Sequence, residues 1–356
     1  MKAIQLALDL GIEFQEIITK FDINRIIDYD YIIISFSGGK DSLACLLYIL
    51  ELIKKFNISK DKVECWHHLV DGNTEDNFFD YPITSDYCKK VCEALGVKLY
   101  FSWREGGIKR EMLRVNDITA PVFYETPDGI KSSGGKSKSF NTRLRFPQKG
   151  NKMKTRWCSS VVKIAVGYSA IAGQDRFKGK KTLFITGERR EESAARAEYE
   201  EFKSHETNAK CRHVDHWRAI LDWRESQVWE IIKRQGIRPH PSYELGFPRC
   251  SCINCIFIND HQLASVNLIA SSVVSEMAKY EKEFNDHWIN QGKEGYTIDP
   301  DRRTVMERVA TGQPYNMRPE IVRLALSHKY YESVIVSSEE WRLPPGAFSK
   351  ENGGPT

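Results

Sequence analysis

The hexapeptide Ser37-Gly38-Gly39-Lys40-Asp41-Ser42 stands between an apolar run, Tyr31-Ile32-Ile33-Ile34, and a segment whose Leu43, Leu46, Leu47 and Leu50 recur at helical spacing. A chain written this way leaves a strand, turns sharply and enters a helix. Two glycines let the backbone come close to an anion, and the start of a helix presents unpaired N–H groups and the positive end of its dipole. Lys40 adds a point charge suited to phosphate, while Ser37 and Ser42 add hydroxyl donors. The loop is not a Walker A motif, which needs a glycine five positions before Gly39, where this chain has Ile34. A carboxylate at such a loop repels phosphate unless it orients Mg²⁺ or caps the helix; capping with partial metal involvement is expected of Asp41.

With 356 residues, 41% of them apolar, the chain has material for one large α/β domain and an appended region. The formal charge of +4 is too small to name a partner; its distribution says more. No apolar run reaches membrane-spanning length, and the first residues run into an amphipathic, helix-patterned stretch over about Ile4–Phe21. A cytoplasmic protein without a membrane partner is expected. Nine cysteines in such a setting point to metal or redox chemistry rather than a disulfide framework. Cys45, Cys65, Cys88 and Cys92 fall in apolar patterns and read as packing; Cys211 has no assigned role.

Strands are expected at Tyr31–Phe36, Val63–Val70, Val97–Trp103 and Thr182–Thr186. A helix is expected over Tyr87–Leu95, stopped by Gly96, and a long charged helix from about Glu191 onward. Alternating strands and helices argue for a parallel sheet covered on both faces, with ligands beyond the strand carboxyl ends. The loops after Phe36, Val70, Trp103 and Thr186 should therefore converge. Between Lys131 and Arg156 there are nine Lys or Arg and no acid, among many Ser and Gly; this stretch reads as a mobile inserted loop. The expected division is a nucleotide domain over 1–245, a cysteine-containing helical region over 246–342, and a flexible tail over 343–356.

Two further groups carry chemistry. Gly187-Glu188-Arg189-Arg190-Glu191-Glu192-Ser193 leads on to Arg196 after a strand; arginine forks there suit phosphate or sulfate, with Glu192 holding one in register. Arg156-Trp157-Cys158-Ser159-Ser160 and Pro248-Arg249-Cys250-Ser251-Cys252-Ile253-Asn254-Cys255 supply thiols for a metal: Cys158, Cys252 and Cys255, with Cys250 as a fourth candidate. An iron–sulfur cluster with one open iron fits this pattern better than zinc, and metal-free thiols are the third reading. His67, His68, His213, His216 and His240 show no metal-ligand spacing, though His67 and His68 adjoin a strand end and could line a nucleotide pocket. Trp217, Trp223 and Trp229 read as core.

Ser37–Ser42 resembles the PP-loop of ATP pyrophosphatases, which cleave ATP between the α- and β-phosphates. Together with Arg156-Trp157-Cys158, Gly187–Arg196, His240-Pro241-Ser242-Tyr243 and Cys252-x-x-Cys255, it is similar to the phosphoadenosine-phosphosulfate (PAPS) reductase-like family of the adenine-nucleotide α-hydrolase superfamily. The resemblance implies a five-stranded parallel, HUP-like sheet binding an adenine nucleotide, and makes Lys163 a further anion-binding candidate. True reductases generally lack the Lys-Asp of the loop and carry a C-terminal nucleophilic cysteine; here the loop is intact and the last cysteine is Cys255. That pattern looks more like ATP-using sulfurtransferases of DNA phosphorothioation or tRNA thiolation.

The implied reading is an ATP-dependent enzyme that adenylates an acceptor and replaces oxygen with sulfur. Ser37, Gly38, Gly39, Lys40 and Ser42 would hold the leaving pyrophosphate, Val70 and Asp71 would border the nucleoside, and Gly187, Arg189, Arg190 and Arg196 the acceptor or α-phosphate side. DNA or tRNA would bind through Lys131–Arg156, and a cysteine desulfurase or other donor would supply sulfur. A PAPS or adenylylsulfate reductase, and a non-catalytic nucleotide- and nucleic-acid-binding module, are the alternatives.

Overall fold

In the computed structural model, which describes residues 21–149, 154–250 and 252–349, the run Tyr31–Ser35 forms strand β1. Its Ile32, Ile33 and Ile34 are all fully buried. Ile32 and Ile34 enter one apolar cluster and Ile33 another, because successive side chains of a strand point to opposite faces. A strand covered on both faces belongs inside a parallel sheet.

Helix α1 (Lys40–Lys55) follows the loop, then β2 (Val63–Leu69), α2 (Thr84–Leu95) and β3 (Lys98–Arg104). Gly96 ends α2 in the left-handed region at φ +63, and the N–H of Val97 returns to the carbonyl of Cys92 at 2.9 Å. A short helix, α3 (Gly107–Leu113), leads to the hairpin β4 (Val122–Thr126) and β5 (Gly129–Ser133). Next come α4 (Ala165–Ala172), β6 (Lys181–Ile185), β7 (Phe202–Ser204) and β8 (His213–Trp217). The strand order is β5-β4-β3-β2-β1-β6-β8-β7. The five inner strands, β3 to β8, are mutually parallel, as expected. The sheet is larger than the expected five strands: β4 and β5 at one edge and β7 at the other add antiparallel pairings. The outermost two, β5 and β7, are short and largely polar, as sheet edges tend to be, so no alternating pattern announces them.

The long helix expected from Glu191 does not form. Arg190–Glu192 is a 3-10 turn and Ala194–Ala197 a single helical turn, after which the chain enters β7. The charges of this stretch are spent on ion pairs that fold it back on itself.

Beyond β8 the chain forms α5 (Glu225–Arg234), α6 (Pro241–Glu244), α7 (Asp260–Ile269), α8 (Ser271–Ile289), α9 (Val305–Thr311) and α10 (Pro319–Ala325). One buried cluster runs from Phe21 through Trp217 and Phe284 to Trp341, so the C-terminal helices share the core of the sheet. Residues 343–349, expected in a flexible tail, pack instead. The N–H of Gly346 donates to Tyr243 O at 2.9 Å, and a Cβ on Gly346 would lie 2.1 Å from Phe247 O. The patterned segment before Phe21, Ser251 and the end of the tail lie outside the described residues. Among the described residues no helix is long and apolar enough to cross a membrane.

The basic segment also departs from expectation. Lys131–Ser133 belongs to β5, and Phe146, within the stretch expected to be a mobile loop, is fully buried. Phe146 packs 5.5 Å from Phe284 and 6.3 Å from Phe78, ring to ring. Arg143 stacks 4.1 Å from the Trp157 ring and lies 3.6 Å from the buried Glu111 carboxylate. Trp288 Nε1 donates to Leu144 O at 2.8 Å, and Tyr296 OH to Phe146 O at 2.6 Å. This strap is thus anchored through Arg143, Leu144 and Phe146 against Trp157, α8 and the loop after it, while Lys136, Lys138, Phe140, Arg145 and Lys149 stay exposed and residues 150–153 lie outside the described residues. Phe146→Ala should cost about 3–5 kcal/mol of stability and open the strap to proteolysis. Urea unfolding and limited digestion measure both; an unanchored loop would be cut in the wild type and would lose no stability.

Candidate functional site

The strand order reverses between β1 and β6, and the crevice at that point lies beyond their carboxyl ends. It is lined by Ser37, Gly39 and Ser42 on one side and by Thr186, Gly187 and Arg196 on the other. Gly38 has φ +78, and a Cβ there would lie 2.9 Å from Cys88 Sγ, so conformation and space both call for glycine. Ser42 Oγ accepts the Ser37 N–H at 3.2 Å and donates to Gly39 O at 3.0 Å, which ties the loop into a closed turn. Gly39 is the N-cap of α1, leaving the first helical turn with no side-chain cap. A Cβ on Gly187 would meet Asp41 O at 2.9 Å, so the two walls of the crevice come into backbone contact.

Lys40 and Asp41 do not stand as expected. Lys40 is 5% exposed, and its Nζ donates to Pro248 O at 3.1 Å and lies 3.7 Å from both Asp41 and Glu225. Its backbone N–H donates to Tyr243 OH at 2.8 Å. The side chain therefore reaches under the loop toward residue 248 rather than into solvent. Asp41 caps nothing; its Oδ1 takes the Arg189 Nε–H at 2.6 Å. Burial opposes ionisation of Asp41, but Lys40 and Arg189 outweigh it and hold the carboxyl below the usual carboxylate range.

The arginines are already engaged. Arg189, buried, also bonds Glu191 at 2.5 Å. Arg190 bonds Asp222 at 2.6 Å and the carbonyls of Tyr199, at 2.8 Å, and Ala197, which makes it a bolt of the loop rather than a group facing the crevice. Arg196 pairs with Glu192 at the crevice wall, where Arg249 also lies.

A second cleft continues from Ser37 along β1 and β2, lined by His67, His68, Val70, Asp80, Lys163 and Cys252. Asp71 lines a third at the far end, although its carboxylate turns inward to accept the N–H groups of Phe79, at 2.9 Å, and Asp80, at 2.7 Å. Burial, and then the neighbouring Asp80, push the Asp71 carboxyl up to about 8 against the pull of those bonds. Lys163 is carried by a π-helical turn, Ser160–Ile164, of the kind often found at functional sites. The charge of Cys252 leads in raising the Lys163 ammonium above its usual range, with Asp80, Cys158 and Cys255 contributing.

Cys250 and Cys252 line this cleft, Cys158 and Cys255 lie within electrostatic reach of Lys163, and all four are half-buried. Burial pushes the Cys250 thiol up to about 12, with Ser242, Lys163 and Lys40 opposing. A thiolate set suits iron or zinc. Its arrangement does not: among the described residues no three Cys, His, Asp or Glu come close enough to share a metal. Cys45, Cys65, Cys88 and Cys92 are core, as are Trp217, Trp223 and Trp229. Sequence reasoning missed Tyr243 as the partner of Lys40, Pro248 O as its acceptor, and Asp80 in the cleft wall. Of these Tyr243 and Pro248 lay in quoted motifs, and Asp80 in none.

Residues 133–257 match the family model of the phosphoadenosine phosphosulfate reductase domain. Over 138 residues the chain is 30% identical to an uncharacterized 37.8 kDa protein of Escherichia phage 186, covering 39% of this chain and 40% of that one. Over 100 residues it is 33% identical to adenosine 5′-phosphosulfate reductase of Neisseria meningitidis, covering 28% of this chain and 36% of the relative. The chain thus spans about two-fifths or less of the length of these curated relatives. Among solved structures, Candida glabrata FMN adenylyltransferase in complex with FAD and inorganic pyrophosphate is similar at 12% identity and TM-score 0.36, over 69% of this chain and 71% of that one. Through residues 133–257 the chain is thus similar to the phosphoadenosine phosphosulfate reductase domain.

Proposed function

We propose that this chain is an enzyme that binds ATP along the trough at the carboxyl ends of the parallel strands, expels pyrophosphate and passes sulfur to an acceptor. The observation that carries the reading is the Ser37–Ser42 loop opening on the β1/β6 crevice, with the cysteines beside it. The loop and the start of α1 would hold the β- and γ-phosphates, with Mg²⁺ arriving on the nucleotide. N–H groups and cations fixed in advance there would stabilise the charge that develops on pyrophosphate. Lys40 would exchange Pro248 O for phosphate, Arg196 would serve the crevice wall, and Lys163 would lie on the α-phosphate side. Arg189 acts through Asp41, and Arg190 is left a structural role. Sulfur from a desulfurase-type donor would enter where Cys250 and Cys252 border the trough, with Cys158 and Cys255 near Lys163. The likeness to an adenosine 5′-phosphosulfate reductase favours a second reading, reduction of an already activated sulfate. Thioredoxin-dependent sulfite release would identify that activity, and ATP-derived pyrophosphate the first.

Lys40→Met should weaken ATP binding at least about ten-fold, by loss of a charge-assisted contact worth about 1.5–3 kcal/mol. Gly38→Ala should be worse, since φ +78 and the 2.9 Å approach to Cys88 Sγ leave no room for a methyl group. Calorimetric titration and pyrophosphate release measure both; wild-type values in either variant would end the nucleotide reading.

The family pattern implies an iron–sulfur cluster, with zinc as the alternative, whereas the described cysteine arrangement holds no metal trio. Metal and sulfide analysis of protein purified without oxygen tests this: less than one iron or zinc per chain would leave the thiols metal-free. Stoichiometric iron and sulfide, lost in Cys252→Ser, would show instead that the thiols close around a cluster.

A nucleic-acid acceptor would meet the exposed part of the strap. Replacing Lys131, Lys136 and Lys138 with alanine should flatten the salt dependence of DNA or tRNA binding by roughly 0.7–0.9 log units per lost contact for each tenfold change in salt. ATP affinity should stay the same. Filter binding across a salt series reads this directly, and an absence of salt-sensitive binding would point to a small acceptor.

A further inference from the structure

His67 on β2 is 4% exposed and borders both the second and the third clefts. Its Nδ1 lies 2.8 Å from the carbonyl oxygen of Phe36, with Cys88 Sγ on the same edge at 3.5 Å. A carbonyl oxygen only accepts, so the ring hydrogen must be on Nδ1. Burial lowers the imidazole pKa, so the ring carries only that one hydrogen. Nε2 is therefore a bare lone pair, and it is buried with no hydrogen-bond partner among the described residues. A buried acceptor left unmet is costly in a folded protein and calls for a reason. The other buried imidazoles nearby are used differently. Both nitrogens of His240 face partners, Ser242 and Thr84. His68 bonds Ser102, and its Nε2 backs onto Gly167, where a Cβ would lie 3.1 Å away.

The surroundings decide what His67 can receive. Asp80 borders both clefts on its side, with Lys89 in one and Lys163 in the other, while the crevice on the other side of the loop is bordered by Arg196 and Arg249 together with Asp41, Glu188 and Glu192. Phosphate belongs at the glycine loop and the start of α1. That leaves the clefts beside β2 to the half of a nucleotide that carries hydrogen-bond donors. We infer that His67 is a specificity-determining residue of this trough, its Nε2 accepting a hydrogen bond from an N–H or O–H donor on the nucleoside half of the ligand. The donor is either the exocyclic amine of adenine or a ribose hydroxyl. This deepens the proposed function and rests on its nucleotide reading.

The test measures affinity for ATP, for ITP, which has a carbonyl in place of the amine, and for 2′-deoxy- and 3′-deoxy-ATP. In the wild type one analogue should bind about ten-fold more weakly than ATP, the worth of one hydrogen bond; ITP points to the base and a deoxynucleotide to the sugar. In His67→Phe, ATP should fall to the level of that analogue and the difference between them should vanish. His67→Gln, whose amide nitrogen can face Phe36 O while its oxygen faces the cleft, should restore the difference. A general loosening of the fold would weaken every nucleotide while preserving their ratio, and a preserved ratio in His67→Phe overturns the assignment. So does a wild type that binds ATP and all three analogues equally. Failure of the wild type to bind ATP at all overturns the proposed function, and this assignment with it.

Discussion

The position of β1 governs the rest of the molecule. It pairs with β2 on one side and β6 on the other, so the chain builds the sheet outward in one direction and then returns to build it in the other. A crevice must open where the two directions part, because the loops leaving β1 and β6 diverge there. The tight glycine turn lies in that crevice, and the Asp41–Arg189 ion pair, at 2.6 Å, fastens one wall to the other. A carboxylate pairing with a buried guanidinium in this way stabilises little in net terms but leaves an uncompensated charge when broken. Its contribution is to geometry: it keeps the start of α1 at a fixed distance from the Gly187 turn.

The charges of the loop region are balanced within the protein. Lys40 is opposed by Asp41 and Glu225, Arg189 by Asp41 and Glu191, and Arg196 by Glu192. An entering polyphosphate therefore competes with carboxylates for these cations rather than finding them unoccupied. The same holds beside the strap, where the fully buried Glu111 lies 3.1 Å from Arg114 and 3.6 Å from Arg143. A count of basic residues along the chain overstates how many of them face a ligand.

What could be read from sequence was local. The apolar run of β1, the glycine turn and the leucines of α1 are adjacent in the chain, and each reports its own conformation. The inner strands β2, β3 and β6 follow by the same logic, with ends misplaced by about a residue, whereas the inner strand β8 was not among those expected. The features that escaped are those set by distant partners. Phe146 and Arg145 look like members of a basic arm until Phe284, Trp288 and Tyr296, some 140 residues further on, supply a surface for them. Arg190 looks like a phosphate fork until Asp222 takes it. The edge strands β5 and β7 carry too few apolar residues to show a period of two, and they exist because β4 and β8 offer open edges.

The loop and the cysteine segment, separate motifs in the sequence, share atoms in the structure. Tyr243 OH takes the N–H of Lys40, Pro248 O takes its ammonium, and a Cβ on Gly39 would touch Cys250 Cβ at 3.4 Å. Lys40 therefore cannot turn toward an anion in the crevice without releasing the carbonyl two residues before Cys250. The energies are comparable, since a charge-assisted bond to a carbonyl and one to phosphate both lie within about 1.5–3 kcal/mol. A contact of that size is enough to couple occupancy of the crevice to the position of the thiols by about ten-fold or more. An intact Lys-Asp pair in the loop is thus as much a feature of the cysteine segment as of the crevice.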